Sequence, residues 1–307
     1  MTPRIENQEK YSDIITKIDK HYKTMCSMRP LSADAIKRYY NDFGIVSSYN
    51  SNAIEGNSFT YDETYLLLND GIPTVTRTFR EHEDIVGYKA GFDYLQKALQ
   101  ENKTIDNEFV QKLHSFVMRG EEIAGQYRQD QVYIGNVFAI TYTPCPPEQV
   151  MDRMTVLMKR IQLDMQNYHN LSRQNSIDWY QLFHTLAKHH CEFEQIHPFM
   201  DGNGRTGRLL LSYEFLQIGL LPVDIRVAYR DRYYAALKNY DVKKHYSTNP
   251  NSKTDGMAKL LAESELRSME VWNSVFISSK MNKGTGAVSS NKNYSYIERE
   301  KENDSVM

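Results

Sequence analysis

The chain has 307 residues, of which 40% are apolar and 25% are charged, a composition typical of a soluble globular protein with enough length for a sizeable core. Its formal net charge of −2 gives no overall attraction to nucleic acid or acidic membranes, and no run of about 18 apolar residues predicts a membrane span. The first residues lack the apolar segment of a signal peptide and the three cysteines form no Cys-x-x-Cys pair, so we expect a cytoplasmic protein with free thiols.

Helical periodicity dominates the first third of the chain. Residues 9–24 are predicted to form a first helix, and Ser32 is suited to cap a second helix that runs from Ala33 to Glu55. Gly56 can end that helix, because glycine adopts the left-handed conformation without a Cβ penalty. Further helical segments are predicted near residues 62–70, 80–100 and 106–118.

One stretch breaks the helical pattern. Residues 132–144 alternate and are rich in β-branched and aromatic side chains, which predicts two short strands around a turn near residues 136–138. An isolated hairpin is only marginally stable, so its free edge could serve to accept another strand. From the residues alone, a surface connection packed on a helix is the favoured interpretation.

The rest of the chain returns to helical periodicity until near its end. Helices are predicted after Pro147, over 176–195, from 204 to Gly219, over 229–240 and over 254–277. From Ser278 onward the chain is rich in Ser, Asn, Gly and Lys, with few apolar residues. We therefore predict a disordered tail.

The stretch HPFMDGNGRTGR, residues 197–208, stands directly before one of these helices. A helix N-terminus offers unpaired N–H groups and a partial positive charge, and Gly202 and Gly204 let the backbone converge on an anion. Arg205 and Arg208 are three residues apart, so they share one face of the first helical turn. This arrangement predicts a site for a di- or triphosphate.

Two further side chains of the stretch predict chemistry as well as binding. Asp201 would be repelled by phosphates unless Mg²⁺ lies between them, and one carboxylate with phosphate oxygens is a usual Mg²⁺ site. The alternative for Asp201 is a helix N-cap. His197, which titrates near neutral pH, is suited to take a proton from a hydroxyl that attacks a phosphate. The alternative for His197 is a structural histidine.

Two other kinds of site are disfavoured. His189, His190, Glu194 and His197 could suggest zinc, but their spacing matches no common zinc motif and Pro198 ends the helix beside them. A P-loop would need a lysine and a preceding buried strand, and a helix precedes this loop instead. The sequence therefore predicts a phosphate site in a helical setting.

The same residues resemble a known family. HPFMDGNGRTGR matches in full the signature His-Pro-Phe-x-Asp/Glu-Gly-Asn-Gly-Arg-x-x-Arg of the Fic family, and the resemblance extends over roughly residues 105–240. It implies an all-α fold with a short β-hairpin flap beside the active site. It also implies transfer of AMP from ATP to a Ser, Thr or Tyr hydroxyl of a target protein, or of the chain itself, with release of pyrophosphate.

The resemblance implies a role for each residue of the site. His197 would be the catalytic base, and Asp201 would hold Mg²⁺ or, in its place, Mn²⁺. Phosphate and nucleotide binding would fall to Gly202, Asn203, Gly204, Arg205, Arg208, Tyr233 and Tyr234. The flap would hold the backbone of the target protein by strand addition, through Ile134, Gly135 and Ile140.

The stretch SNAIEGN, residues 51–57, is similar to the inhibitory motif of the family. Ser51 and Glu55 are four residues apart and share a helix face, so the Glu55 carboxylate could pair with Arg208 in a bidentate bond and displace the γ-phosphate. Inhibition would then act within one chain. Without the resemblance, a solvated glutamate at a helix end would be the favoured interpretation.

The resemblance divides the chain into four parts. They are an N-terminal helical region that carries the inhibitory motif, a catalytic core, a C-terminal helical segment and a disordered tail, over residues 1–104, 105–245, 246–277 and 278–307. Two alternatives to AMP transfer stay open: other chemistry of the family (removal of AMP, or transfer of UMP, phosphate or phosphocholine), and a non-catalytic nucleotide sensor. A homodimer is common among relatives, and the target protein cannot be read from the sequence.

Overall fold

The computed structural model describes residues 10–28, 33–136, 139–240 and 253–283. Within these ranges the chain forms ten α-helices and one two-stranded sheet, so the predicted all-α class is confirmed. The helices are α1 Tyr11–Ser27, α2 Ala33–Ile54, α3 Tyr61–Asp70, α4 Phe79–Gln100, α5 Asn107–Val117, α6 Val150–Arg173, α7 Trp179–Ile196, α8 Asn203–Gln217, α9 Arg230–Asn239 and α10 Asp255–Lys283. The strands are β1 Ile134–Asn136 and β2 Ala139–Tyr142.

The predicted helices are all present, with shifts of a few residues at their ends. Gly56 has a φ of 95°, so it ends α2 in the left-handed conformation as predicted. Pro147 lies in a short 3₁₀ turn, and α6 begins only at Val150. The predicted N-cap Ser32 lies outside the described residues.

The predicted disordered tail was placed too early, because residues 278–283 are helical. Helix α10 continues to Lys283, because residues 278–283 include Lys and Met, which have high helix propensity and extend a helix already stabilised by its buried face. Trp272 and Phe276 belong to that buried face. Residues 284–307 of the predicted tail and residues 246–252 lie outside the described residues.

Helix α8 is the centre of the fold. It packs against α2, α4, α5, α6 and α7, and every residue from Arg205 to Leu216 is buried. A helix that is buried on all sides exposes only its ends to ligands. The loop that enters α8, residues 197–202, therefore joins the interior of the protein to its surface.

Helix α2 packs closely against α4 and also contacts α8. A Cβ on Gly44 would lie 2.8 Å from the Phe92 ring of α4, so only glycine permits this close approach. Two buried hydrogen bonds fix the orientation of α2: Ser47 bonds to the Tyr88 hydroxyl at 3.1 Å, and Asn50 donates to Asp224 at 2.9 Å. As a result, the last turn of α2 lies against the first turn of α8.

The three cysteines are free thiols in this structure. Cys145 and Cys191 are buried and free, and Cys26 is free but only half-buried. Across the part of the chain that the structure describes, no helix combines the length and apolar character needed to cross a membrane.

A buried imidazole joins α6, α7 and α8. His189 lies between two carboxylates, with Nε2 at 2.9 Å from Asp164 and Nδ1 at 2.7 Å from Glu214. Carboxylates accept hydrogen bonds, so both ring nitrogens donate and the ring is an imidazolium. Burial alone would lower the pKa of His189, but the two carboxylates raise it to about 9.

This imidazolium predicts a loss of stability at alkaline pH. The pKa of an unfolded histidine is about 6.5, so the stabilisation is complete below that pH and is lost as the pH rises through about 9. We expect the free energy of unfolding to fall by at most about 3 kcal/mol over this window, since one pKa unit corresponds to about 1.4 kcal/mol. Urea denaturation at pH 6, 7.5 and 9.5 measures it.

The matched control is His169→Gln, which alters an exposed histidine and should keep the pH slope. His189→Gln should remove it. Equal slopes in His189→Gln and in the unaltered protein would show that His189 is not charged in the fold.

Candidate active site at the entrance to α8

The loop before α8 is held rigidly by its own side chains. Phe199 is fully buried and stacks on His114 with ring centroids 3.7 Å apart. The Asn203 amide bonds to both backbone groups of Phe199, at 2.9 Å each. These contacts use the Asn203 side chain on the loop itself and leave the backbone N–H groups of the first turn of α8 available for an anion, whereas the Gly202 N–H is bonded to Asp201.

Two glycines of the loop allow close approach of other groups. Gly202 is the N-cap of α8 with a φ of 74°, and a Cβ there would lie 2.8 Å from the Met118 sulfur. A Cβ on Gly204 would collide with the Glu55 carboxylate. The backbone of α8 therefore meets the end of α2 directly, at the place where an anion would bind.

Asp201 does not cap the helix, because Gly202 takes the N-cap position and no side chain caps it. The Asp201 carboxylate accepts a hydrogen bond from the neighbouring Gly202 N–H at 2.5 Å and is 67% exposed. Its backbone carbonyl accepts a hydrogen bond from His114 Nε2 at 2.9 Å. The main chain is thus fixed while the carboxylate faces outward.

The Asp201 carboxylate could bind a magnesium ion only together with a bound molecule that supplies further oxygen atoms. Within the described residues, no cluster of three or more His, Cys, Asp and Glu side chains could hold a metal ion alone. Mg²⁺ is usually bound by one or two carboxylates together with phosphate oxygens. The exposed Asp201 carboxylate meets the protein part of that requirement.

The His197 ring has one nitrogen that can accept a proton. It ends α7 with a φ of 51°, and its Nδ1 lies 3.3 Å from the Glu194 carbonyl. A carbonyl only accepts, so Nδ1 carries the hydrogen and Nε2 keeps its lone pair. Burial lowers the pKa of His197 to about 4, so the imidazole is neutral at physiological pH.

The two arginines of the loop have different partners in this structure. Arg205 bonds to Asp84 of α4 at 2.5 Å and lies 3.8 Å from Asp201. Arg208 bonds to α2 instead. The prediction that both arginines hold one anion is therefore untested, and Asp84 is a competing partner for Arg205 that the spacing did not reveal.

Arg208 is almost fully buried and is held by the last turn of α2. Its Nε donates to the Ser51 hydroxyl at 2.8 Å, and its NH2 group donates to the Ser51 carbonyl at 2.9 Å and to Glu55 at 2.8 Å. Burial would lower the pKa of Arg208, but the Glu55 carboxylate raises it above its usual value. The predicted contact is present, but the bidentate geometry was wrong, because Nε faces Ser51.

The two tyrosines of α9 occupy different environments. Tyr233 is buried behind Arg208, with its hydroxyl 2.8 Å from His190 Nε2 and 3.5 Å from Arg208. Tyr234 is exposed, donates to the Ile54 carbonyl at 3.3 Å and lies under Arg230. Tyr234 is accessible to a ligand beside the end of α2, and Tyr233 supports Arg208. Their roles at a nucleotide base stay predictions.

The hairpin is present where two strands were predicted. Strands β1 and β2 are antiparallel, with Ile134 opposite Tyr142 and Gly135 opposite Ile140. The pairing is irregular between Ile134 and Gly135. The turn residues 137–138 lie outside the described residues. Within the described ranges the sheet has only these two strands, so the prediction that an edge accepts a target strand remains open.

A residue that sequence reasoning missed joins the hairpin to the loop. Arg128 is buried, and its guanidinium donates to the backbone carbonyls of His197 at 2.8 Å, Asp130 at 3.0 Å and Cys145. Its own N–H donates to the Pro198 carbonyl at 2.9 Å. Asp130 and Cys145 flank the hairpin on either side, so one side chain fixes both ends of the hairpin to His197.

Replacing Arg128 by methionine keeps the volume of the side chain and removes every donor. We expect the free energy of unfolding to fall by on the order of 3 kcal/mol, because several buried carbonyls lose their partner. Urea denaturation measures the change. Arg153→Met is the control, since exposed Arg153 bonds only to Gln149 and should change stability by less than about 0.5 kcal/mol. Equal losses would show that the Arg128 contacts are not specific.

Comparison with known proteins agrees with this geometry. The model of the Fic/DOC family matches residues 104–215. The chain is 30% identical over 207 residues to protein adenylyltransferase fic-1 of Caenorhabditis briggsae, which covers 66% of this chain and 38% of the relative. It is 26% identical over 243 residues to protein adenylyltransferase Fic of Drosophila ananassae, and the match covers 76% of this chain and 46% of that relative. The chain thus spans less than half the length of these curated relatives.

Solved structures share the fold. A Fic domain containing signaling protein from Bacteroides thetaiotaomicron superposes with a TM-score of 0.72 at 21% identity, over 85% of this chain and 97% of that one. A fragment of Fic-1 from Caenorhabditis elegans superposes with a TM-score of 0.62 at 25% identity, over 89% of this chain and 74% of that one. The match to the family model, over residues 104–215, includes the helices on both sides of the loop at residues 197–202.

Proposed function

We propose that this chain, which belongs to the Fic family, transfers AMP from ATP to a hydroxyl group of a target protein and of itself, and releases pyrophosphate. The observation that carries the proposal is the rigid loop at residues 197–202, which places a neutral imidazole beside the unpaired N–H groups that open α8. The relatives named protein adenylyltransferase support it.

The proposed reaction uses the base at His197. Nε2 takes the proton of the attacking hydroxyl, and the hydroxyl oxygen forms a bond to the α-phosphorus of ATP. The bond between that phosphorus and the oxygen bridging to the β-phosphate breaks, and pyrophosphate leaves. Gly202, Asn203 and Gly204 would bind phosphate oxygens through their N–H groups. Asp201 would hold Mg²⁺ or Mn²⁺, which neutralises phosphate charge when bound.

The resting enzyme is proposed to be inhibited by its own helix α2. Glu55 and Ser51 occupy the Arg208 guanidinium that the γ-phosphate would need. A triphosphate that binds elsewhere in the site would present its α-phosphorus at the wrong place, and a misplacement of about 1 Å can cost on the order of 100-fold in rate. Withdrawal of Glu55 would then be required for transfer.

The hairpin is proposed to orient the target. An extended target segment would add a strand to β1 or β2, as Ile134, Gly135 and Ile140 were predicted to do, and main-chain hydrogen bonds would hold it without reading its sequence. Arg128 would then fix the position of that strand relative to His197. Its guanidinium donates hydrogen bonds to both flanks of the hairpin and to the His197 carbonyl.

ATP labelled on either its α- or its γ-phosphate distinguishes this function from its alternatives. Transfer of the α-label alone to protein is expected for AMP transfer. Transfer of the γ-label would indicate phosphate transfer instead. Release of AMP from a previously modified protein would indicate hydrolytic removal of AMP, with water as the attacking group, and nucleotide binding without any turnover would indicate a sensor. The cytoplasmic location, the domain division, the homodimer and the protein target stay predictions.

A further inference from the structure

A second buried carboxyl group, that of Glu194, is within electrostatic range of Arg208 but forms no ion pair with it in this structure. Glu194 belongs to α7 and comes one turn before His197, and its side chain is only 11% exposed. Its Oε1 has no hydrogen-bond partner, and the nearest cation-forming group is His190 Nε2, at 4.0 Å. A buried carboxyl oxygen without a partner is costly, so its presence at this position requires a reason.

The first turn of α8 is shaped to admit this carboxyl. A Cβ on Gly207 would lie 2.5 Å from Glu194 Oε1 and 2.9 Å from the Phe193 ring. Any other residue at position 207 would therefore displace Glu194. Gly207 occupies a variable position of the loop signature, and its lack of a side chain gives room to both the Glu194 carboxyl and the Phe193 ring.

Glu194 is neutral while Glu55 is in place. Burial raises the pKa of Glu194 to about 8, Arg208 acts to lower it, and the Glu55 carboxylate acts to raise it. Arg208 then has one carboxylate partner, and an ionised Glu194 would add a second negative charge with no cation to balance it. The buried site therefore holds one positive and one negative charge.

Withdrawal of Glu55 removes that balance. Arg208 would stay buried without a bonded carboxylate, which a folded protein avoids. Asp224, whose pKa Arg208 acts to lower, forms no ion pair with it among the described residues. We propose that Glu194 is a positioning residue for Arg208: it becomes the carboxylate partner when Glu55 withdraws, and it releases the guanidinium to the γ-phosphate when ATP binds. The role of ATP in this proposal rests on the proposed function.

Glu194 exchanges one proton with solvent in each of the two steps, the withdrawal of Glu55 and the binding of ATP. When Glu55 withdraws, the Glu194 carboxyl loses a proton to solvent and pairs with Arg208. When the γ-phosphate reaches Arg208, its negative charge lies beside the Glu194 carboxylate, which takes a proton back from solvent. Binding of ATP to the Glu55-free protein should therefore consume about one proton.

The other titratable groups named here around Glu194 neither gain nor lose a proton between pH 7 and 9. Burial lowers the pKa of His190 to about 3, so that ring is neutral. Burial raises the pKa values of Tyr233, Tyr88 and Cys191 above their usual range, so these groups are neutral as well. Arg208 stays charged. Glu194 is the group of this set that can exchange the proton.

Calorimetry of Mg²⁺–ATP binding in buffers of different ionisation enthalpy tests the proposal. The protein is Glu55→Gly with His197→Ala, which prevents turnover and removes the titration of His197. We expect uptake that approaches one proton near pH 8, and an affinity that falls by up to about tenfold per pH unit. Adding Glu194→Gln should abolish the uptake and make the affinity independent of pH, whereas adding Glu192→Gln should change neither.

Glu192 is a matched control because it lies on the same helix, two residues away, and pairs with Arg160 on the opposite side. Uptake that persists in Glu194→Gln, or that is absent before this substitution, overturns the proposal.

A second measurement needs no nucleotide. A protonated carboxyl has an infrared stretching band that a carboxylate lacks, so the difference spectrum between the unaltered protein and Glu194→Gln at pH 7 should show one such band. The same difference taken in the Glu55→Gly background should lose it. A band present in both, or in neither, overturns the proposal. If Glu55→Gly transfers no AMP while the band behaves as expected, the proposed function fails and the assignment of Glu194 stands.

Discussion

Replacing Glu55 by glycine is expected to raise self-labelling with α-labelled ATP and Mg²⁺ by on the order of 100-fold. The substitution removes the only carboxylate bonded to Arg208 among the described residues, with Ser51 left in place. It also clears the space beside Gly204, which the Glu55 carboxylate fills so closely that a Cβ at position 204 would collide with it. The γ-phosphate can then reach the guanidinium, and the α-phosphorus can reach the attacking hydroxyl.

Fold stability is not expected to account for this rise. Glu55 is partly exposed and stands just beyond the last residue of α2, so its loss leaves the helix intact. Glu101→Gly is the matched control, because Glu101 also follows the last residue of its helix, α4, and pairs only with surface lysines. It should leave the labelling unchanged. Equal labelling in Glu55→Gly and in the unaltered protein would remove the inhibitory role from α2.

The contact between α2 and α8 shows what can be predicted from the sequence alone. Ser51 and Glu55 share a face because they are four residues apart, and the glycines and arginines of the loop predict an anion site. These are local relations, set by helical geometry. The pairing of Glu55 with Arg208, across 153 residues, was predicted only through the family resemblance.

Three further residues at the site were not singled out for the roles that the structure suggests. Arg128, Asp84 and Glu194 have partners that are set by how the helices pack, and Arg205 bonds to Asp84 across 121 residues. Glu194 was noticed only as part of a disfavoured zinc motif. Its burial against Gly207 depends on how closely α7 approaches α8, which neither composition nor periodicity determines. A local pattern therefore predicts the residues that are proposed to meet the substrate better than those that hold them in place.

Replacing His197 by alanine in the Glu55→Gly background is expected to lower AMP transfer by at least 100-fold, since general base catalysis contributes roughly 10²- to 10⁴-fold. The measurement is the initial rate of labelling from α-labelled ATP. At saturating ATP, transfer by Glu55→Gly should also hold its rate from pH 8 down to about 5. The base must be neutral, the pKa of His197 is lowered to about 4 by burial, and removal of the Glu55 carboxylate lowers it further.

Two controls separate loss of the base from loss of the site. His169→Ala alters an exposed histidine on α6, bonded only to the Gln217 carbonyl, and should keep full transfer. ATP should bind His197→Ala as tightly as it binds the parent, because the phosphates are assigned to the N–H groups of α8 and to Arg208, which the substitution leaves in place. A variant that binds ATP but still transfers AMP at the parental rate would show that another group accepts the proton. A rate that falls by half near pH 6.5 would show that His197 titrates as an exposed histidine does, and that its burial in the loop is lost when Glu55 is removed.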